Sequence, residues 1–135
     1  MNSCEICQQT GGTLLYQDSL LRVVLVDEPD YPGFCRIIWQ QHVKEMSDLE
    51  PQARQHLFDW LMRVERALRN ELQPDKINLA SLGNMVPHLH WHVIARFSDD
   101  AHFPSPIWAE ARRPGRRVAP PGLAARLQAA LRAQP

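Results

Sequence analysis

PHLHWHVIARF, residues 87–97, places three of the chain's six histidines at alternate positions. Strict alternation over several residues is the pattern of a strand, whose successive side chains point to opposite faces. Leu89, Trp91 and Val93 then line one face, and His88, His90 and His92 the other. With a rise of about 3.3 Å per residue, neighbouring imidazoles on one face stand roughly 6–7 Å apart. That is too far for hydrogen bonds in a row, but it suits several imidazoles meeting one ligand. Burying three imidazoles without a purpose would leave several hydrogen bonds unmet. Two chemistries remain open on the residues alone. One is a metal site, in which two histidines two apart reach a zinc ion and a third ligand comes from elsewhere. The other is covalent catalysis, in which one imidazole attacks phosphorus or an acyl carbon while its neighbours orient it and stabilise charge.

Outward from this strand, the chain reads as one α+β domain. TLLY (13–16) and LRVVLVD (21–27) are short strands joined by a QDS turn, and EPDYPG (28–33) is loop chemistry. FCRIIWQ (34–40) is β-branched and aromatic, hence a strand, in which Cys35 is a small buried hydrophobe. Residues 47–72 form the one long helix. Ser47 and Glu50 have capping-box spacing, and Leu57, Leu61, Val64 and Leu68 make one apolar stripe. KINLASL (76–82) is a strand and GNMVP (83–87) a turn into the histidine strand, so that pair is antiparallel. The expectation is an antiparallel sheet of about five strands, with the long helix on one face and a short C-terminal helix at 123–133. Residues 1–110 are read as the domain and 111–135 as an Arg/Pro/Ala-rich tail, with the basic stretch 112–117 solvated. His56 is expected at the surface or boundary of the helix and His102 in a solvated loop.

Composition narrows the function classes. The formal net charge is zero and 44% of residues are hydrophobic. A neutral chain has no global field to attract nucleic acid or an anionic membrane, and no apolar run approaches the roughly 20 residues of a membrane span. The N-terminus has no basic start and no apolar signal region. Three cysteines do not make a disulfide framework, so a cytoplasmic location with reduced thiols is expected.

The stretch NLASLGNMVPHLHWHVIAR, with Gly83, Asn84 and Val86 before His-x-His-x-His, resembles the histidine triad (HIT) family motif. The segment from Asp27 to Leu49 resembles the family's strand–loop–strand passage into its long helix, so the likeness runs over about residues 4–97. DDAHFPSPIW (99–108) looks like a bacterial subgroup, and the chain after Ala109 is left without a counterpart. The resemblance implies a small α+β fold and a homodimer with a sheet continued across a two-fold axis. It implies hydrolysis or transfer of nucleotidyl conjugates, such as diadenosine polyphosphates or adenosine phosphoramidates, through a nucleotidyl-histidine. By position, His90 is the nucleophile and His92 stabilises phosphate or leaving-group oxygen. Asn78 and Asn84 line the phosphate pocket, and Asp27 holds ribose hydroxyls of a purine nucleotide. Some bacterial members hold structural zinc on positions matching Cys4, Cys7, His42 and His88; no organic cofactor is implied. Two departures bear on rate and substrate: Met85 stands where many members have Ser or Thr, and Phe34 where many have His. They support an alternative, a zinc-stabilised nucleotide-binding module with little turnover. A metal-dependent hydrolase ligated by His88, His90 and His92 is a third reading.

Overall fold

The computed structural model describes residues 3–115 and 117–134. A one-turn helix α1 (Glu5–Gln8) precedes strands β1 (Thr13–Gln17), β2 (Leu21–Leu25) and β3 (Phe34–Trp39). The long helix α2 (Pro51–Leu72), strands β4 (Lys76–Ala80) and β5 (His90–Arg96), and helix α3 (Leu123–Ala133) follow. The strands form one antiparallel sheet in the order β1-β2-β3-β5-β4. The α+β architecture expected from sequence is therefore the one observed.

Period-two alternation divides the sheet into two unlike faces. Val23, Cys35, Ile37, Val93 and Ala95 point to the helix side, where they share one core with Leu57, Leu61, Val64 and Leu68 of α2. Leu123, Leu127 and Leu131 of α3 are buried in the same core. The stripe read in residues 57–68 is thus the buried face of α2, and the 111–135 segment contributes its three leucines to the same interior. Gly33 sits where the backbone passes the end of α2. A Cβ there would overlap Leu72 Cδ1 and the Ala95 side chain, so only glycine lets β3 start this close to the helix.

Local chemistry moves several boundaries. The helix does not start with a Ser47–Glu50 capping box. Met46–Asp48 is a separate 3-10 turn, closed by the Glu45 N–H donating to Asp48 Oδ2 at 2.9 Å. Pro51 explains the shift: it restricts Glu50 to extended backbone (φ −65°, ψ 156°) and, lacking an N–H, suits the first helical position. The turn between β1 and β2 is built by Asp18, whose Oδ1 accepts from the Leu20 and Leu21 amides. β2 ends at Leu25, short of Asp27, and β4 ends at Ala80. Strand β5 begins at His90, so His88 lies just outside it.

Candidate functional site

The face of the sheet away from the helices carries the histidines. His90 and His92 point there, opposite Ile38 and Arg36 of β3, while Ala80 and Asn78 of β4 flank His92 and Ile94. Both rings are buried, with centroids 5.0 Å apart and planes nearly perpendicular. The expected division of β5 into two faces therefore holds for residues 90–93. His88, one residue pair earlier, turns its ring elsewhere.

Hydrogen bonds decide the state of each imidazole. His90 Nδ1 lies 2.6 Å from the His88 carbonyl oxygen. A carbonyl only accepts, so Nδ1 carries the proton and Nε2 keeps its lone pair. Burial lowers the pKa of His90; the bond to the His88 carbonyl offsets this in part, and the Arg36 charge adds to the lowering. His92 is pushed down to about 4, first by burial and then by His90 and Arg36. Both rings are therefore neutral at pH 7. The His92 ring packs against Trp108 (4.9 Å) and the edge of Phe34 (5.6 Å), and its buried Nδ1 has no hydrogen-bond partner among the described residues.

His88 belongs to a second cluster. Its Nε2 donates to the Trp39 carbonyl oxygen at 2.6 Å, which leaves Nδ1 as the free electron pair. That Nδ1 stands 3.5 Å from Cys4 Sγ, 3.4 Å from Cys7 Sγ and 3.2 Å from His42 Nδ1, and Cys7 Sγ is 3.3 Å from His42 Nδ1. One donor atom from each of the four residues lies within 4.8 Å of all the others. Donors about 2.0–2.3 Å from a tetrahedral zinc stand roughly 3.3–3.8 Å apart, so the donor set and its spacing fit that ion. Arg22 fastens this corner to the sheet: its guanidinium donates to the carbonyl oxygens of Ile6, Gln9 and Thr10 and to Gln40 Oε1.

The remaining expected residues divide. Asn78 lies on the histidine face, with Oδ1 accepting from Arg96 at 2.7 Å, which leaves its NH2 group as the donor. Asn84 is exposed on the 81–87 turn. Asp27 is exposed beyond β2, on a cleft lined by Pro29, Pro32 and residues 119–124 that includes none of the three triad histidines. His90 and His88 instead line a cleft with Lys44, Glu45, Ser81 and Leu82. Met85 is 93% exposed. His102 is not a free loop histidine: its ring meets the Tyr31 hydroxyl and its amide donates to Asp100.

Sequence reasoning missed Arg36, Trp108 and the Arg96–Asp100 pair. The pair is almost fully buried and bidentate, at 2.7 and 3.0 Å. Burial raises the pKa of Asp100, but the hydrogen bonds from Arg96 and from the Phe97, Phe103 and His102 amides outweigh it and hold the carboxyl well below the usual range. With Arg96 also donating to the Ser105 carbonyl oxygen and Arg113 to the Asp100 and Phe103 carbonyls, it fixes the segment that lays Trp108 against His92. The available signal was a charge inside each apolar strand: Arg36 in FCRIIW and Arg96 at the end of HWHVIAR.

The family model for the HIT domain matches residues 8–99, and the chain belongs to the histidine triad family. Two curated relatives are the AP-4-A phosphorylase of Mycobacterium tuberculosis and the asymmetrical bis(5'-nucleosyl)-tetraphosphatase of Schizosaccharomyces pombe. The first is 26% identical over 98 residues, 68% of this chain and 50% of that protein. The second is 26% identical over 95 residues, 67% of this chain and 52% of that protein. The chain thus spans about half the length of these curated relatives. Among solved structures, a histidine triad protein from Bradyrhizobium japonicum superposes with a TM-score of 0.75 at 28% identity, covering 98% of this chain and 94% of that one. That coverage extends past Ala109, where the sequence resemblance assigned no counterpart. A Zn-bound histidine triad family protein from Mycobacterium smegmatis has the same fold, with a TM-score of 0.68 at 24% identity over 96% of this chain and 94% of that one.

Proposed function

We propose that this protein cleaves nucleotidyl conjugates, of the diadenosine polyphosphate or adenosine phosphoramidate type, through a nucleotidyl-histidine at His90. The observation that carries the reading is the 2.6 Å contact of His90 Nδ1 with the His88 carbonyl. It leaves Nε2 unprotonated and aimed from a buried, neutral ring, which is what a nucleophile toward phosphorus requires. Attack forms an Nε2–P bond and breaks the bond from phosphorus to the leaving group, which departs as an anion when it is a phosphate chain and takes a proton from solvent when it is an amine. The imidazole becomes cationic, and its Nδ1–H bond to the carbonyl strengthens as that charge develops. A water then forms a P–O bond, the N–P bond breaks, and the neutral ring returns. His92, Asn78 and Asn84 supply donors to the phosphate oxygens, and Asp27 is assigned to the ribose. The names of the curated relatives, a phosphorylase and a tetraphosphatase of dinucleoside polyphosphates, support this substrate class.

Cys4, Cys7, His42 and His88 are proposed to hold a structural zinc ion, which would supply a closed cross-link between the N-terminal segment and the sheet. The Zn-bound relative supports the reading. Two features support a homodimer: β4 is an edge strand, and Phe58, Met62 and Leu79 expose apolar surface on α2 and β4. Among the described residues no helix is long and apolar enough to cross a membrane. The protein is assigned to the cytoplasm, where cysteines stay reduced and available to such a site.

A binding module with little turnover is the second reading, favoured by Met85, whose thioether has no proton to donate to a leaving group. A panel of diadenosine tetraphosphate and a fluorogenic adenosine phosphoramidate separates the two. Turnover that His90→Asn abolishes supports the enzyme; tight nucleotide binding with no turnover supports the module.

A further inference from the structure

The triad face carries three arginines, and they are not alike. Arg22 is saturated by four acceptors and Arg96 by Asp100, Asn78 and Ser105. Arg36 is not. Its Nε is buried without a partner, and no carboxylate pairs with it among the described residues. Its guanidinium lies over the Phe34 ring, 5.5 Å from the centroid. Yet Arg36 is the Cα partner of His92 across β3 and β5, half-buried between Val24 and that histidine. A buried guanidinium N–H without an acceptor is unfavourable, more so when the group carries charge. The two imidazoles beside it supply no negative charge in either protonation state. Arg36 therefore places on the nucleophile's own sheet face a positive charge with no paired carboxylate among the described residues.

Resting on the reading of His90 as nucleophile, we propose that Arg36 binds a phosphate of the leaving group and makes the enzyme prefer substrates whose leaving group is a phosphate chain. In-line displacement carries the leaving group away from the attacking nitrogen. Along β5, one side of His90 leads to His88, whose Nδ1 is turned to the His42–cysteine cluster and offers a phosphate no donor. On the other, the next row is His92 with Arg36 beside it. A guanidinium fits phosphate oxygens with paired, charge-assisted hydrogen bonds, whereas a neutral amine leaving group offers it nothing. A polyphosphate departs without a proton, so this arrangement also lessens the need for the hydroxyl that Met85 lacks.

The test compares wild type, Arg36→Met and Arg36→Lys on diadenosine tetraphosphate and on an adenosine phosphoramidate with a neutral amine. Methionine keeps the apolar stem, and thermal unfolding checks that the variants stay folded. Arg36→Met should lower kcat/KM for the tetraphosphate by roughly 10- to 100-fold and for the phosphoramidate by less than about threefold, with lysine in between. Equal losses on both substrates, or none on either, would overturn the assignment. Calorimetric titration gives an answer that does not depend on turnover: wild type should bind ADP more tightly than AMP, and Arg36→Met should erase the difference. Wild type binding ADP no tighter than AMP would overturn the proposal. Absence of turnover in wild type on both substrates would instead count against His90 catalysis, while the ADP–AMP comparison would still decide the role of Arg36.

Discussion

At His88 and His90 the two ring nitrogens of each imidazole have different neighbours, and this separates their chemistry. His88 gives Nε2–H to Trp39 and keeps Nδ1 for the cysteine cluster; His90 gives Nδ1–H to the His88 carbonyl and keeps Nε2. The same residue therefore offers its side chain to the proposed zinc site and orients His90 with its backbone. His92 has no such carbonyl, and its burial has a measurable consequence. Its folded pKa is about 4, whereas an unfolded histidine titrates near ~6.5. Between these values the unfolded chain binds the proton and the folded one does not, so stability falls as pH drops from 6.5 toward 4 and is fully retained above 6.5. Urea unfolding of wild type and His92→Asn across this range should show a gap that depends on pH, with wild type the steeper of the two. Parallel curves would place the His92 titration elsewhere. Asp100 acts in the lower window. Its depressed pKa contributes stability above the unfolded carboxylate value near ~3.9, and that stability is lost as pH falls below it. Breaking this buried pair with Asp100→Asn should destabilise the fold by about 3–5 kcal/mol in urea unfolding, and should free the segment that carries Trp108.

At the scale of elements, hydrophobic period was a dependable guide, and what escaped it were contacts distant in sequence. The strands, the α2 stripe and the alternation along β5 follow from patterns local to a few residues. The 3-10 turn at Met46–Asp48 was missed because Pro51 overrides a capping-box spacing that looks correct in the sequence alone. The clustering of Cys4, Cys7, His42 and His88 was legible only through family likeness, since periodicity says nothing about residues 84 positions apart. Arg36 and Asp100 were illegible as site residues because their meaning depends on which strand lies alongside. The C-terminal helix makes a testable case. Leu127 is buried in the main core, and α3 packs on both α2 and β1. Leu127→Ala should therefore destabilise by about 2–5 kcal/mol in urea unfolding, the range for a core leucine. A loss below about 0.5 kcal/mol would mean that residues 123–133 fold as an appendage.

At the scale of the whole molecule, the sheet has two functions on its two faces: one buries the helices, the other holds the imidazoles against a covering segment pinned by Arg96 and Asp100. The proposed zinc ties the N-terminus to that second face. Metal analysis of protein purified without chelator should give about one zinc per chain, and Cys7→Ser should lower both zinc content and the thermal midpoint; zinc-free wild type would remove the site. The proposed chemistry turns on whether His90 becomes covalently attached to the nucleotide. Rapid acid-free quenching of wild type during turnover of diadenosine tetraphosphate, followed by intact-mass and peptide mapping, tests this directly. The prediction is a mass increase of one nucleotidyl group on the peptide containing His90, absent in His90→Asn. Turnover with no adduct in wild type, or near wild-type kcat in His90→Asn, would contradict the covalent mechanism.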